Sequence, residues 1–266
     1  MAEALAIGFA AVLGAVIGSF LNVVADRAPA GASITSPGSH CLSCGHVLRP
    51  YELVPVLSFL ALRGRCRSCG VRIGVRSPLV EAANAVLWAF AAWHYGPGIA
   101  AGLTALAFSF LLVVAVIDLE HQLVLNRVLL VSLPLALGAA LAWPEAVREP
   151  LFGFSTRIAA LGADALLAAA VGFGLFLALA VLSRGGIGGG DVKLAAVLGL
   201  WVGMERLAVA LLVAVVLGGV VAGVLLVLRS RGRKDTIPFA PSLCTGTALS
   251  LVWGSTIGSW YLELIT

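Results

Sequence analysis

Apolar residues run along this chain in long blocks, and the polar residues gather at the ends of those blocks. Reading the blocks predicts eight membrane-spanning helices, near 4–25, 79–95, 98–117, 122–143, 158–182, 191–203, 206–228 and 240–262. A straight helix needs about 20 residues to cross a hydrocarbon core of ~30 Å. The sixth block, at about a dozen residues, is short of that. The first block lacks the basic region and A-x-A cleavage site of a secretory signal, so it is expected to remain as a span. There is no tandem repeat and no low-complexity segment.

Composition turns this pattern into a class. With 61% hydrophobic and 11% charged residues and a mean hydropathy of +1.06, the chain has more apolar surface than a soluble core of 266 residues can hide. The expected fold is all-α and polytopic, with the lipid bilayer as its main surroundings. The net charge of +4 is no signal for a nucleic-acid partner; its meaning lies in where the basic residues fall. Seven arginines (Arg27, Arg49, Arg63, Arg65, Arg67, Arg72 and Arg76) occupy loop 26–78. Eight spans put that loop on one side with Glu120, His121, Arg184 and "RSRGRKD" at 229–235. The other side receives "HYGPG" at 94–98, the mixed stretch 144–157 and the pair Glu205 and Arg206. The basic bias makes the first side cytoplasmic, and both termini then face outward. Three parts result: a first span at 1–25, a cytoplasmic loop at 26–78 and a membrane core at 79–266.

Two carboxylates break the apolar pattern at one depth. Asp118 closes the third block and Asp191 opens the sixth, 73 residues later. Both fall at cytoplasmic helix ends under this topology. Embedded carboxylates are costly and point to function. Asp191 alone is explained as a helix-start residue. Asp118 at a helix C-terminus meets the negative end of the dipole, so a further cause must hold it there. Two carboxylates within ~3–4 Å share a proton and titrate as a pair. One then takes a proton from a water while the other hydrogen-bonds a scissile carbonyl, which is metal-free peptide hydrolysis. The helix ends predict that Asp191 stays ionised and Asp118 holds the proton.

Asp191 follows "GGIGGG" at 185–190. Gly188 and Gly190, lacking Cβ atoms, are expected to let a substrate backbone approach; a flexible linker is the plainer use of such glycines. Four of the five cysteines form C-x₂-C, a 21-residue spacer and C-x₂-C: Cys41, Cys44, Cys66 and Cys69. That set suits a tetrahedral zinc ion with no open position, hence structural. Disulfides or redox pairs are the rival, and a reducing cytoplasm disfavours them. His40 and His46 adjoin the first pair and read as exposed loop residues or supporting ligands.

These motifs resemble the type IV prepilin leader peptidases, membrane aspartic proteases of the G-x-G-D class. "GSFLNVVADRAP" at 18–29, the cysteine loop at 39–81, "IDLEHQLVLN" at 117–126, "GIGGGDVKL" at 186–194 and "IPFAPSL" at 237–243 occur in family order. Leu125 stands where family members often carry proline. The resemblance implies Asp118 and Asp191 as catalytic residues and prepilins or pseudopilins as substrates, cut at the cytoplasmic face of the bacterial inner membrane. It also implies methylation of the new N-terminus from S-adenosylmethionine, although no glycine-rich cofactor fingerprint stands in the sequence. Prepilin leaders are basic, so Glu120 and Asp235 become candidate leader contacts. Glu81 reads as a helix-start carboxylate, Asp164 as an interfacial or bundle-facing residue, Lys193 as a snorkelling side chain and Cys244 as a small apolar filler. A preflagellin or signal-peptide protease would share the aspartates without this cysteine loop. A proton-coupled transporter or zinc-sensing channel would carry its carboxylates nearer the midplane, in repeated halves.

Overall fold

A computed structural model describes residues 1–142, 162–183, 186–228 and 238–265. The 144–157 stretch, the start of the block at 158–182, Arg184, Gly185, the basic run at 229–235 with its Asp235, and Ile237 lie outside the described residues. Within them, every regular element is helical. These are α1 (Ala2–Arg27), α2 (Leu57–Ala61), α3 (Arg76–Tyr95), α4 (Ile99–His121), α5 (Asn126–Ala142), α6 (Ala163–Leu182), α7 (Gly189–Val202), α8 (Met204–Val227) and α9 (Ala240–Ile265), with a 3-10 turn at Pro50–Leu53. All but α2 coincide with the apolar blocks. Four of them, α1, α4, α6 and α8, are long and apolar enough to cross a membrane.

The chain divides into two compact units, Met1–Val113 and Val114–Thr266. In the first, α1 and α3 pack antiparallel at close range. A Cβ on Gly14 would lie 2.7 Å from the Trp88 Cβ, and one on Gly18 would lie 2.8 Å from the Glu81 Cα. Glycines four apart on one helix face let two backbones approach closely where lipid offers no hydrophobic drive. The same interface buries Asn84. Its Nδ2 donates to the Gly14 carbonyl at 2.7 Å, and its Oδ1 accepts from the Ser109 hydroxyl at 2.9 Å. Trp88 Nε1 donates to that hydroxyl at 2.8 Å. A buried amide so satisfied fixes the register of α1, α3 and α4.

In the second unit, α7 is the centre. It touches α5, α6, α8 and α9, and nine of its 14 residues are buried. At 1.5 Å per residue it is only about 21 Å long. Its shortness follows from its surroundings, because a helix sheathed by other helices has no bilayer thickness to match. Gly172 of α6 and Gly199 of α7 pack against the backbones at Ala195 and Ala168, which holds this pair close. Asp164, in the first turn of α6, accepts the Met204 amide at 3.2 Å through Oδ2 and 3.4 Å through Oδ1. It therefore caps α8, and of the two places expected for it, the bundle is the one observed.

Candidate active site

Asp118 and Asp191 are both in the second unit. Asp118 lies in the last turn of α4 and is buried, while Asp191 lies in the first turn of α7 and is partly open. The two are within electrostatic reach of each other. Asp191 sits third in its helix, where a carboxylate reaches back to a free amide. Its own N–H returns to the Gly188 carbonyl at 3.0 Å, and its carboxylate lies beside the Gly188 backbone.

Asp118 is held by an element far away in sequence. Its Oδ2 accepts the Ala240 N–H at 3.2 Å, and Ala240 opens α9 within the "PFAPSL" stretch. The neighbouring donors are already used or missing: Ser242 and Leu243 return to the Phe239 carbonyl, and Pro241 has no N–H. The Phe239 ring stacks 6.3 Å from Phe176 and packs over Gly218, which fixes the start of α9. This answers what keeps a carboxylate at the C-terminus of α4, since the positive end of a second helix faces it. The expectation that helix ends alone make Asp191 the ionised member needs correction. Both carboxylates face a helix N-terminus, so that argument no longer separates them. Cys244, one turn into α9, is buried within electrostatic reach of both aspartates. The motif at 237–243 was visible in the sequence, but nothing in it showed that an amide of α9 would meet Asp118.

The glycines divide in role. A Cβ on Gly190 would lie 2.8 Å from the Val124 Cβ, so its open side is filled by the turn that follows Asp118. This contact draws the two aspartate-bearing ends together. A Cβ on Gly188 would meet only Asp191 Oδ2, at 3.6 Å, and Gly189 has nothing within 4 Å. The chain turns after α4 at Gln122, whose φ is 53°. Leu125 begins the approach to α5, its carbonyl accepting the Val128 and Leu129 amides. Glu120 is exposed beside Asp118, and Lys193 donates to Asn126 Oδ1 at 3.0 Å.

In the first unit the four cysteines converge. The Sγ atoms of Cys41, Cys44, Cys66 and Cys69 all lie within 4.8 Å of one another, with Cys41 and Cys69 at 3.9 Å. Four thiolates at 2.3 Å from a tetrahedral zinc would stand about 3.8 Å apart, so the donor set fits that ion. The two halves share one local design. Gly45 and Gly70, each following the second cysteine, have φ of 72° and 70°. Short antiparallel bridges close both turns, His40 to Val47 and Arg65 to Arg72. The amides of Cys44 and Ser43 point at the Cys41 sulfur and hold its thiol down to about 6. Those of Cys69 and Ser68 lower Cys66 likewise. At Cys41 and Cys66 backbone donors favour the thiolate that a metal requires, while burial and the neighbouring thiols push Cys69 up to about 11. The repeated C-x₂-C-G was a sequence signal for this duplication. Neither histidine joins the cluster among the described residues. His40 Nδ1 pairs with the Gly38 carbonyl at 2.9 Å, and His46 Nε2 with Glu52 Oε2 at 3.2 Å. Glu81, expected as a helix-start residue, accepts the Val56 amide at 2.7 Å.

Two family patterns match the chain: the bacterial peptidase A24 N-terminal domain over residues 12–95, and the type IV leader peptidase family over residues 105–223. The second match contains both aspartates. The prepilin leader peptidase/N-methyltransferase of Bacillus subtilis is 35% identical, covering 95% of this chain and 96% of its own length. The proteins of the same name from Pseudomonas aeruginosa and Pseudomonas putida are 35% and 36% identical, covering 94% and 100% of this chain and 91% and 96% of theirs. No solved structure matches. End-to-end similarity at this level, with the motifs in order, makes the chain a member of the type IV leader peptidase family.

Proposed function

We propose that the chain is a membrane-embedded aspartic endopeptidase that removes the basic leader of type IV prepilins or pseudopilins and methylates the new N-terminus. Asp118 and Asp191 are the catalytic pair. The observation that carries this reading is that the two aspartates stand within electrostatic reach at two helix ends, with Asp118 held by the amide that opens α9. One carboxylate, ionised, takes a proton from a water lying between them as that water attacks the scissile carbonyl. The other, protonated, donates a hydrogen bond to the carbonyl oxygen; as the C–N bond breaks, the proton taken from water passes to the leaving amine and the pair keeps the one proton it began with. Cys244 and the buried flank of α9 keep bulk water from the closed side of Asp118. Gly188 leaves open the face along which an extended substrate would lie, Gly190 sets the approach of the two aspartates, and Glu120 meets the basic leader.

The same reading places eight spans in the bacterial inner membrane with the aspartates at the cytoplasmic face, supported by the arginines of the 26–78 loop. That loop is a separate part between the first span, 1–25, and the protease core, 79–266. Cys41, Cys44, Cys66 and Cys69 hold a structural zinc ion there, which orders a loop with little core of its own. The methyl donor is S-adenosylmethionine, which supplies the methyl group.

The deciding experiment is cleavage of a synthetic prepilin in proteoliposomes by the parent, Asp118→Asn and Asp191→Asn, each checked for folding and zinc content. Loss of cleavage in both variants with zinc retained is the expected result. Full activity in either variant removes that residue from the pair.

A further inference from the structure

The first unit holds a second apolar segment that does not belong to any helix expected to span. Residues 51–62 read "YELVPVLSFLAL", with Arg49 before them and Arg63, Arg65 and Arg67 after them. A soluble loop would bury these side chains or replace them. Here Leu57 is 65% exposed and Leu60 63%, and Leu53 and Val54 are exposed as well.

The depth of this segment can be measured along α1. The Val56 amide is bonded to Glu81, and Glu81 packs against Gly18. Gly18 lies nine residues before Arg27 at the end of α1, or about 14 Å along the axis at 1.5 Å per residue. The segment reaches further. A groove of about 500 Å³ is lined by Ala11, Val12, Ala15 and Val16 of α1 on one side and by Pro50 and residues 53–57 on the other. Val16 is about 16 Å from Arg27 along the helix and Val12 about 22 Å. With Arg27 at the edge of a ~30 Å hydrocarbon core, residues 53–57 lie inside that leaflet, just below the level of Tyr51.

Irregular backbone is tolerated at that depth only if its polar groups are satisfied. Most donors of this backbone meet the condition. Pro50 and Pro55 bring no N–H. Leu57, Ser58, Leu60 and Leu62 donate to the carbonyls of Pro55, Val54, Val56 and Ser58. The Val56 donor at the turn is taken by the Glu81 carboxylate. Val56 has a φ of 61°, which a β-branched residue rarely adopts. That strained turn aims its N–H at α3 rather than into the surroundings.

The flanks have the opposite character. Arg49 donates to the Tyr51 hydroxyl at 3.1 Å, and the Arg67 guanidinium lies 5.3 Å over the Tyr51 ring. A tyrosine bound between arginines suits a headgroup layer. The two cysteine pairs stand just outside, before and after the segment, and their sulfurs meet across its neck.

We propose that residues 51–62 form a re-entrant hairpin that dips into the bilayer leaflet on the Arg27 side, with lipid acyl chains covering Leu53, Val54, Leu57 and Leu60. The cysteine cluster closes the neck at the headgroup level, and Glu81 anchors the tip to α3. Part of the long polar-looking loop is therefore a membrane element. The occupant of its apolar face is lipid, because that face is continuous with the exposed Val12 and Val16 of α1 and the arginines at the neck complement anionic headgroups.

The test is site-specific photocrosslinking of the full-length protein in phosphatidylethanolamine and phosphatidylglycerol vesicles. A diazirine side chain is placed at Leu57 or Leu60, with Val12 as a spanning control and Leu42, 94% exposed on the first cysteine turn, as an aqueous control. Val54 replaces either position if a variant loses the parental thermal transition. Phospholipid adducts at 57 and 60, in yields within about two-fold of those at 12 and absent at 42, are expected. Water addition at 57 and 60 as at 42, or crosslinks to protein in place of lipid, would overturn the proposal.

Discussion

Gly190→Ala separates two uses of the glycine before Asp191. If the open face serves an incoming substrate backbone, an added methyl weakens binding. If it serves the chain itself, the methyl pushes on Val124 and through it on the end of α4 that carries Asp118. The structure favours the second, because the new Cβ would stand 2.8 Å from the Val124 Cβ, about an ångström inside ordinary carbon contact. Overpacking of this kind costs roughly 1–3 kcal/mol. Appearing in the transition state as a displaced carboxylate, that is about 5- to 150-fold in kcat. The assay is steady-state cleavage of a prepilin in proteoliposomes by the parent, Gly190→Ala and Gly189→Ala. Gly189 has nothing within 4 Å, so its alanine variant should cleave at the parental rate, with any change in stability favourable. Gly190→Ala should lose kcat with KM nearly unchanged, and Val124→Gly in the same chain should restore most of the loss. A rise in KM at constant kcat, or no rescue, would refute the packing explanation.

Other outcomes follow from the same contacts. Cys66→Ser should lower bound zinc from one ion per chain to well under half, measured by metal analysis after dialysis, because three thiolates leave the tetrahedral shell open. Asp164→Ala removes the acceptor of the Met204 amide and should destabilise the protein by about 0.5–2 kcal/mol in thermal or denaturant unfolding. Its cleavage rate per folded molecule should match the parent, which a third catalytic acid would not allow. Asn84→Leu strips the buried partner from Ser109 and the Gly14 carbonyl, and a loss of roughly 1–3 kcal/mol is expected; an unchanged melting temperature would show that the network contributes nothing.

What the sequence determined rests on signals that are local. Apolar block length places the helices, because a helix in lipid satisfies its own backbone whatever its neighbours do. The spacing of Cys41, Cys44, Cys66 and Cys69 points to a metal site, because two-residue gaps make turns that aim paired sulfurs one way. Asp118 and Asp191 stood out because a carboxylate beside a membrane helix is costly and points to function. Tertiary structure decided everything that depends on which polar group meets which across the fold. The Ala240 amide reaches Asp118 from 122 residues away, and no periodicity encodes that meeting. Gly190 reads as an opening for any backbone, and only packing shows Val124 in the space. Asp164 read as an interfacial or bundle-facing residue, and only the fold shows the Met204 amide on it. The short block at 191–203 looked too short to span, and burial explains it. A helix enclosed by other helices is fitted to their side chains, so the thickness of the bilayer places no demand on its length.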